Sequence, residues 1–296
     1  MIVEAGGCVH SRPRKHMGKT LVIRLAALLL VCGGLWIGLT QQPQDLAVEK
    51  IADDLFLLVG SGGNVAVYVT DEGVILVDDK FERNVPQILE KVKSITDRPI
   101  RFVLNTHHHG DHTGGNAKLI QGAEILCHEN ARANMVRLSQ PGAPRITFSS
   151  QTSVFLGGKE VRAVHFSRGH TNGDVVVYFP ARKVVHMGDM YVGGAPFIDY
   201  SAGGSGIEWS RTLEGALTLG ADTVVPGHGP VMKPADLAAW NKSFETVRTR
   251  VRDLKRQGRS KEEVAQQLKM DDLPGWSPSA NWNTRSLPGL YDELAR

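Results

Sequence analysis

From about residue 55 the chain alternates short apolar runs with glycine-rich or acidic breaks. LFLLV (55–59), NVAVYVT (64–70) and GVILVDD (73–79) read as strands in hairpin-like succession. The period then changes: Val85, Ile88, Leu89, Val92 and Ile95 fall at helical spacing, so a helix is predicted over 84–95, with Pro86 tolerated in its first turn. IRFVLNT predicts a strand from residue 100 straight into a histidine-rich segment. A helix over 114–121 and a strand over 123–127 are expected to follow.

The second half repeats this style. TSVFL (152–156), KEVRAVHF (159–166), DVVVYF (174–179) and KVVHM (183–187) predict further strands. Ser205-Gly206-Ile207-Glu208 has the form of a capping box and predicts a helix ending near Leu219, stopped by Gly220. ADTVVPGHGP (221–230) predicts a last strand leading into a glycine-rich loop. Beyond it Phe244, Val247, Val251 and Leu254 form a helical stripe, and Arg248, Arg252 and Lys255 between them read as its solvated face. The tail from Asp271 has no legible period.

An earlier apolar run, 25–39, differs in kind. It follows Lys19 and Arg24, gives way to polar residues, and so has the layout of a secretory signal peptide, with Gly38 and Thr40 just before a cleavage point at Gln41. An uncleaved membrane anchor is the competing reading, and Met17 is an alternative start. The expected organisation is a leader over 1–40, a main domain over 45–240 and a helical C-terminal extension over 241–296, in a periplasmic or secreted protein.

That leader changes the charge argument. The chain of 296 residues carries 34 basic and 31 acidic side chains, but five of the basic ones (Arg12, Arg14, Lys15, Lys19, Arg24) and one acid (Glu4) lie in the leader. What remains is close to neutral, which removes the support for a nucleic-acid partner. No stable protein partner is predicted. Of three cysteines only Cys127 lies beyond the leader, so no disulfide framework is expected there, and Cys127 reads as a small hydrophobe in a strand. With 42% hydrophobic residues the remainder is long enough to bury a sizeable core.

The chemistry concentrates in NTHHHGDH, residues 105–112. Imidazole and carboxylate groups are costly to bury unpaired, so a cation is the natural reason to gather them. His107 and His109, two apart at a strand end, leave on the same face, and His108 points the other way. Gly110 lets the chain turn and bring Asp111 and His112 back over the first pair. Further donors stand in matching glycine-flanked settings: His170 in RGHTNGD, Asp189 in HMGDM and His228 in PGHGP. A set of imidazole and carboxylate without sulfur suits zinc, and it also accommodates iron or manganese.

The pattern H-x-H-x-D-H, then a later His, then GD, then GHG, resembles the metallo-β-lactamase superfamily over residues 50–232. That resemblance implies an α+β fold, a four-layer αββα sandwich with its metal site at the edge of the two sheets. It further implies two zinc ions, the first held by His107, His109 and His170, the second by Asp111, His112 and His228, with Asp189 between them. Paired ions of this kind share a water, lower its pKa and present hydroxide to an acyl carbon, while Asp111 holds the nucleophile. No serine or cysteine nucleophile is then required.

Other positions read more plainly. His128, His165 and His186 are expected as core or supporting residues, and His186, three before Asp189, is the strongest candidate for support. GSGGN (60–64) lacks the Lys and Ser/Thr of a phosphate loop and reads as a hairpin turn. The flexible stretch 192–206 is placed to line a substrate cleft, and Tyr191 and Tyr200 are candidates to reach a carbonyl oxygen.

Substrate is less constrained. Asp at 189, where thiolate zinc β-lactamases carry Cys, resembles glyoxalase-II-type thioesterases, homoserine lactonases and tRNA-processing nucleases. Export favours substrates met outside the inner membrane. The expectation is therefore a dinuclear zinc hydrolase of a small acyl substrate, with a β-lactam or lactone leading. The alternatives are a glyoxalase-II-like thioesterase, a non-hydrolytic iron redox protein, or an accessory periplasmic component.

Overall fold

The computed structural model describes residues 45–277 and 279–294. The expected leader and its cleavage point lie outside the described residues. Two sheets carry the strands. The first runs in the order β1 (Ala47–Ala52), β2 (Leu55–Val59), β3 (Val65–Val69), β4 (Val74–Val77), β5 (Ile100–Leu104), β6 (Glu124–His128), β7 (Ile146–Phe148). Its first four strands are antiparallel and the rest join in parallel. The second sheet orders β12 (Thr223–Val225), β11 (Val184–His186), β10 (Val176–Phe179), β9 (Lys159–Val164), β8 (Gln151–Leu156).

Side-chain alternation explains why several of these strands are apolar throughout. On β3, Ala66 and Tyr68 face the second sheet, while Val65 and Val67 face the opposite way toward helix α1 (Val85–Ile95). On β10, Val177 and Phe179 meet the first sheet, and Val176 and Tyr178 meet an outer helical layer. A strand covered on both faces cannot spare alternate positions for polar residues. Three apolar seams result: α1 on the first sheet, sheet on sheet, and the second sheet on α5 (Trp209–Leu217) and α6 (Pro234–Arg256). This is the expected αββα sandwich.

Local differences have local causes. The helix expected over 114–121 forms as two single turns, α2 (Gly110–Thr113) and α3 (Asn116–Leu119). The break falls at Gly114 and Gly115, whose N–H groups donate to the Lys80 carbonyl and to Asp79 Oδ1 instead of continuing a helix. Ser205 does accept from the Glu208 N–H, but the Glu208 carboxylate pairs with Arg168 and Ser167, so α5 starts only at Trp209. The boundary set at 240/241 lies inside α6, a continuous helix that buries Trp240, Phe244, Val247 and Val251 against the second sheet's layer.

Strand β1 and helix α4 (Glu129–Arg137) had no clear apolar period: β1 is mostly exposed and α4 is polar on most positions. The tail is ordered by aromatic packing. After α7 (Lys261–Gln267), Trp276 and Trp282 enter the outer seam edge-to-face at 5.1 Å. A π-helical segment, Trp282–Ser286, then leads into α8 (Leu287–Glu293). Among the described residues no helix is long and apolar enough to cross a membrane.

Strand direction sets the site. Because β10 is antiparallel to both neighbours and β11 is parallel to β12, the loops after β9, β11 and β12 leave one edge of the second sheet together. These loops carry His170, Asp189 and His228. The loop after β5 joins them: Val175 N–H donates to the Thr106 carbonyl at 2.8 Å, tying the histidine segment to the opposite sheet.

Candidate metal centre

All seven predicted donors converge. Donor atoms of His107, His109 and His170 form one group, those of Asp111, His112 and His228 another, and those of His107, His112 and Asp189 a third that lies across both, each within a 4.8 Å span. Asp189 faces both ways. Its Oδ1 lies 3.1 Å from His112 Nε2 and 3.4 Å from His228 Nε2, and its Oδ2 lies 3.6 Å from His170 Nε2 and 3.9 Å from His107 Nε2. Such a placement suits a carboxylate shared between two ions.

The outer partners fix where the imidazole protons sit. His109 Nε2 lies 3.0 Å from Asp199 Oδ2, and His170 Nδ1 lies 2.7 Å from the Phe197 carbonyl, so both outer nitrogens donate. Their inner nitrogens, Nδ1 and Nε2, then face each other as bare lone pairs 2.8 Å apart. His112 Nδ1 donates to Asp78 Oδ2 at 2.8 Å, and its Nε2 lies 3.3 Å from His228 Nε2. Thr106 gives its hydroxyl hydrogen to Asp78 and receives one from His107 Nδ1 at 3.0 Å. His107 Nε2 is buried with no hydrogen-bond partner among the described residues. Imidazole nitrogens this close crowd one another, and an unsatisfied buried polar atom costs about 1–3 kcal/mol. Divalent cations resolve both problems, so the donors fit the metal pair that the motif implied.

Electrostatics agree. Burial alone would push His112 down, but the charges of Asp189 and Asp78 overcome it and hold the ring well above its ordinary pKa. His228 behaves alike: burial opposes its charge, yet hydrogen bonds to Asp111 and Asp189 push it up to about 9. The anionic field that draws a proton here would also draw a metal ion. Burial, reinforced by neighbouring imidazoles, holds His107 well below its ordinary value and His170 down to about 4, which keeps both neutral for coordination.

Close approach of backbone makes this density possible. A Cβ on Gly227 would overlap Asp189 Oδ1, and one on Gly63 would overlap the His112 ring. The segment 60–64 does join two strands of a hairpin as expected, but it also roofs the site. Gly63 N–H donates to the Asp111 carbonyl at 3.0 Å, and Asn64 Nδ2 donates to the carbonyls of Pro226 and Gly229 on either side of His228. His186 supports this arrangement by donating from Nε2 to the Asn64 carbonyl at 3.1 Å while its Nδ1 accepts from Gly188 N–H.

Asp78 and Asp199 are the supporting residues that sequence reasoning missed. Asp78 is fully buried, accepts from Thr106 and His112, and sits at φ 63°, a strained backbone that its many bonds sustain. The signal was the acidic pair ending GVILVDD, read only as the end of a strand. His108 is buried and groups with His109 and Asp199 rather than with the convergent donors. His128 and His165 stack on one another at 4.1 Å, away from the ligand set. Cys127 is fully buried, and burial pushes its thiol up to about 12, as befits an inert core residue.

Both tyrosines require correction. Tyr191 is buried edge-to-face against Trp240 at 5.3 Å, and the Tyr200 hydroxyl donates to Glu293 Oε2 at 3.0 Å. The apolar outer layer captures one ring and the C-terminal carboxylate captures the other hydroxyl, so neither lines the cleft. The cleft over the donors, about 660 Å³, is walled instead by Phe81, Val192 and Phe197 and by Asn281 and Arg285 from the tail.

Comparison with known proteins gives the same picture. The sequence profile described as the metallo-beta-lactamase superfamily matches residues 58–228. A hydroxyacylglutathione hydrolase of Crocosphaera subtropica (strain ATCC 51142 / BH68) is 33% identical over 133 residues, 44% of this chain and 47% of that protein. A metallo-beta-lactamase type 2 of Bacillus cereus is 28% identical over 174 residues, 57% of this chain and 67% of that one. The match thus spans less than half the length of the first relative. A solved metallo-beta-lactamase from Pontibacter korlensis superposes with a TM-score of 0.61 at 23% identity, covering 68% of this chain and 99% of that one, a likeness of fold.

Proposed function

The chain belongs to the metallo-β-lactamase superfamily, and from that premise we propose that it is a dinuclear zinc-dependent hydrolase of a small acyl substrate, β-lactam or lactone ring opening being the leading reaction. The observation that carries this reading is Asp189, whose two oxygens each face one group of inward-pointing donors. His107, His109 and His170 would hold one ion, Asp111, His112 and His228 the other, and Asp189 both. When bound, such ions supply Lewis acidity that activates water and polarises an acyl oxygen.

The protein's own groups do the rest. Asp111 lines the cleft with its side chain 26% exposed and Oδ2 3.2 Å from His228 Nε2. Burial would raise its pKa, but the His228 hydrogen bond and the His112 charge win and hold it below the ordinary carboxylate value. It therefore stays ionised at neutral pH, accepts a hydrogen from an attacking water and takes the proton as the oxygen bonds to the acyl carbon. That proton passes to the nitrogen, oxygen or sulfur that departs when the acyl bond breaks. Phe81, Val192 and Phe197 supply an apolar wall beside the reacting carbon.

Thioester hydrolysis is the second reading. It is supported by the sulfur-free donor set and by the 33% identical hydroxyacylglutathione hydrolase. Export is proposed on the sequence of residues 17–42 alone. The deciding experiment combines metal analysis with a panel of β-lactams, lactones, thioesters and phosphodiesters. Two zinc equivalents with turnover of a cyclic acyl substrate are expected. Stoichiometric iron without zinc-supported hydrolysis, or a fully loaded protein inert to the panel, would sink the reading in favour of a redox or accessory role.

A further inference from the structure

Lys80 is the one lysine or arginine among the described residues that lies wholly inside the protein. Its ammonium donates to the Gly63 carbonyl at 2.5 Å and stands in no ion pair with a described acid. Taking an ammonium out of water is costly unless it is paired, so a lysine kept here needs a reason. Burial pushes its pKa down to about 8, the charges of Asp78 and Asp111 pull the other way, and the group is still charged at neutral pH.

The backbone is as constrained as the side chain. Lys80 sits at φ 58°, two residues after Asp78 at 63°, and its carbonyl accepts from Gly114 N–H, where α2 gives way to α3. Left-handed backbone at two such residues costs energy and tends to collect where function requires it.

From Lys80 a run of hydrogen bonds spreads through the roof of the metal centre. Gly63, whose carbonyl the ammonium engages, gives its own N–H to the Asp111 carbonyl at 3.0 Å and packs on the His112 ring. The peptide that carries the engaged carbonyl also carries the Asn64 N–H, which donates to the Gly227 carbonyl at 2.7 Å. Gly227 in turn leaves no room for a Cβ beside Asp189 Oδ1, and Asn64 Nδ2 holds carbonyls on both sides of His228. A cationic donor polarises the amide it binds and strengthens the bond made from the other side of that amide. These contacts end on Asp111, His112, Asp189 and the His228 loop. None of them ends on His107, His109 or His170.

Resting on the metal-centre reading, we propose that Lys80 is a positioning residue: by donating to Gly63 it sets the roof that holds Asp111, His112 and His228 for the second ion, and it leaves the donors of the first ion alone. The lysine acts through the peptide it binds and not as a charge facing the metal.

The test uses full-length protein, zinc and a competing chelating dye, and needs no turnover. Wild type is expected to take up two ions. Lys80→Met, similar in length but unable to donate, is expected to weaken one of them by about 10- to 100-fold and the other by less than about twofold, with the circular dichroism spectrum unchanged. Lys80→Gln keeps a donor without the charge and is expected to recover part of that loss. Added to His228→Gln, in which the second ion is already weakened, Lys80→Met is expected to change the affinity for the remaining ion by less than about twofold.

Equal losses at both ions would make Lys80 a general support of the fold and overturn the proposal. Tighter zinc binding in Lys80→Met, the result for a lysine that only repels the metal, overturns it as well, and so does a Lys80→Gln protein no better than Lys80→Met. If Lys80→Met does not fold, Lys80→Gln decides alone: a loss confined to one ion supports the role, and a loss shared by both overturns it. A wild type that takes up fewer than two ions overturns the dinuclear reading and this role with it, whereas two ions bound as tightly by Lys80→Met as by wild type overturn the role and keep the reading.

Discussion

His109 Nδ1 and His170 Nε2 face each other 2.8 Å apart, because Asp199 and the Phe197 carbonyl engage the far side of each ring. Two residues 61 positions apart in the chain thus present lone pairs to a common point. Asp199→Asn is expected to keep the fold and weaken the metal bound by this group about 10- to 100-fold, measured by competition with a chelating dye. Unchanged affinity would deny Asp199 its orienting role.

Removing the ions should leave the buried donors without the cations that tie them together. If they bind at about a thousandfold excess over Kd, their loss costs about 4 kcal/mol each. Dialysis against chelator is expected to lower Tm by roughly 10 °C or more, with zinc restoring it.

Asp111→Asn keeps the shape of the side chain but removes a charge and the proton acceptor. Turnover is expected to fall by about 100-fold or more with the circular dichroism spectrum unchanged. Undiminished kcat in a variant with full metal content would contradict the role given to Asp111.

The metal-free protein should carry a pH signature. His228 has a folded pKa raised to about 9 against an ordinary value of 6.5, so its protonation stabilises the fold fully below about pH 6.5, and that contribution is lost as pH rises through 9. Chemical denaturation of metal-free wild type and His228→Gln across this window is expected to show a downward slope in the wild type that the variant lacks. Groups remote from His228 cancel in the difference. Parallel curves would refute the assignment.

Trp282→Ala tests the tail. The ring is fully buried three residues before Arg285, and its loss should cost about 3–5 kcal/mol and release the segment that faces the cleft. Denaturant midpoints that match wild type would show the tail to be dispensable for folding.

The sequence by itself determined the strands with unbroken apolar runs and the α1 helix and singled out the seven side chains that the fold brings together, because these depend on short-range chemistry: side-chain period, glycine beside a crowded side chain, and imidazole with carboxylate in one segment. It left out what contact at a distance decides. Asp78 looked like the end of a strand until its φ of 63° and the His112 bond gave it a place, and Asp199 looked like loop until it met His109, 90 residues away. Tyr191 and Tyr200 seemed free for substrate until Trp240 and Glu293 claimed them. The tail shows the same limit most fully: its tryptophans have no helical or strand period, and only the apolar seam they enter fixes where Arg285 points. Local pattern encodes elements and ligands, whereas the partner that orients each ligand is chosen by packing between segments that the linear order keeps apart.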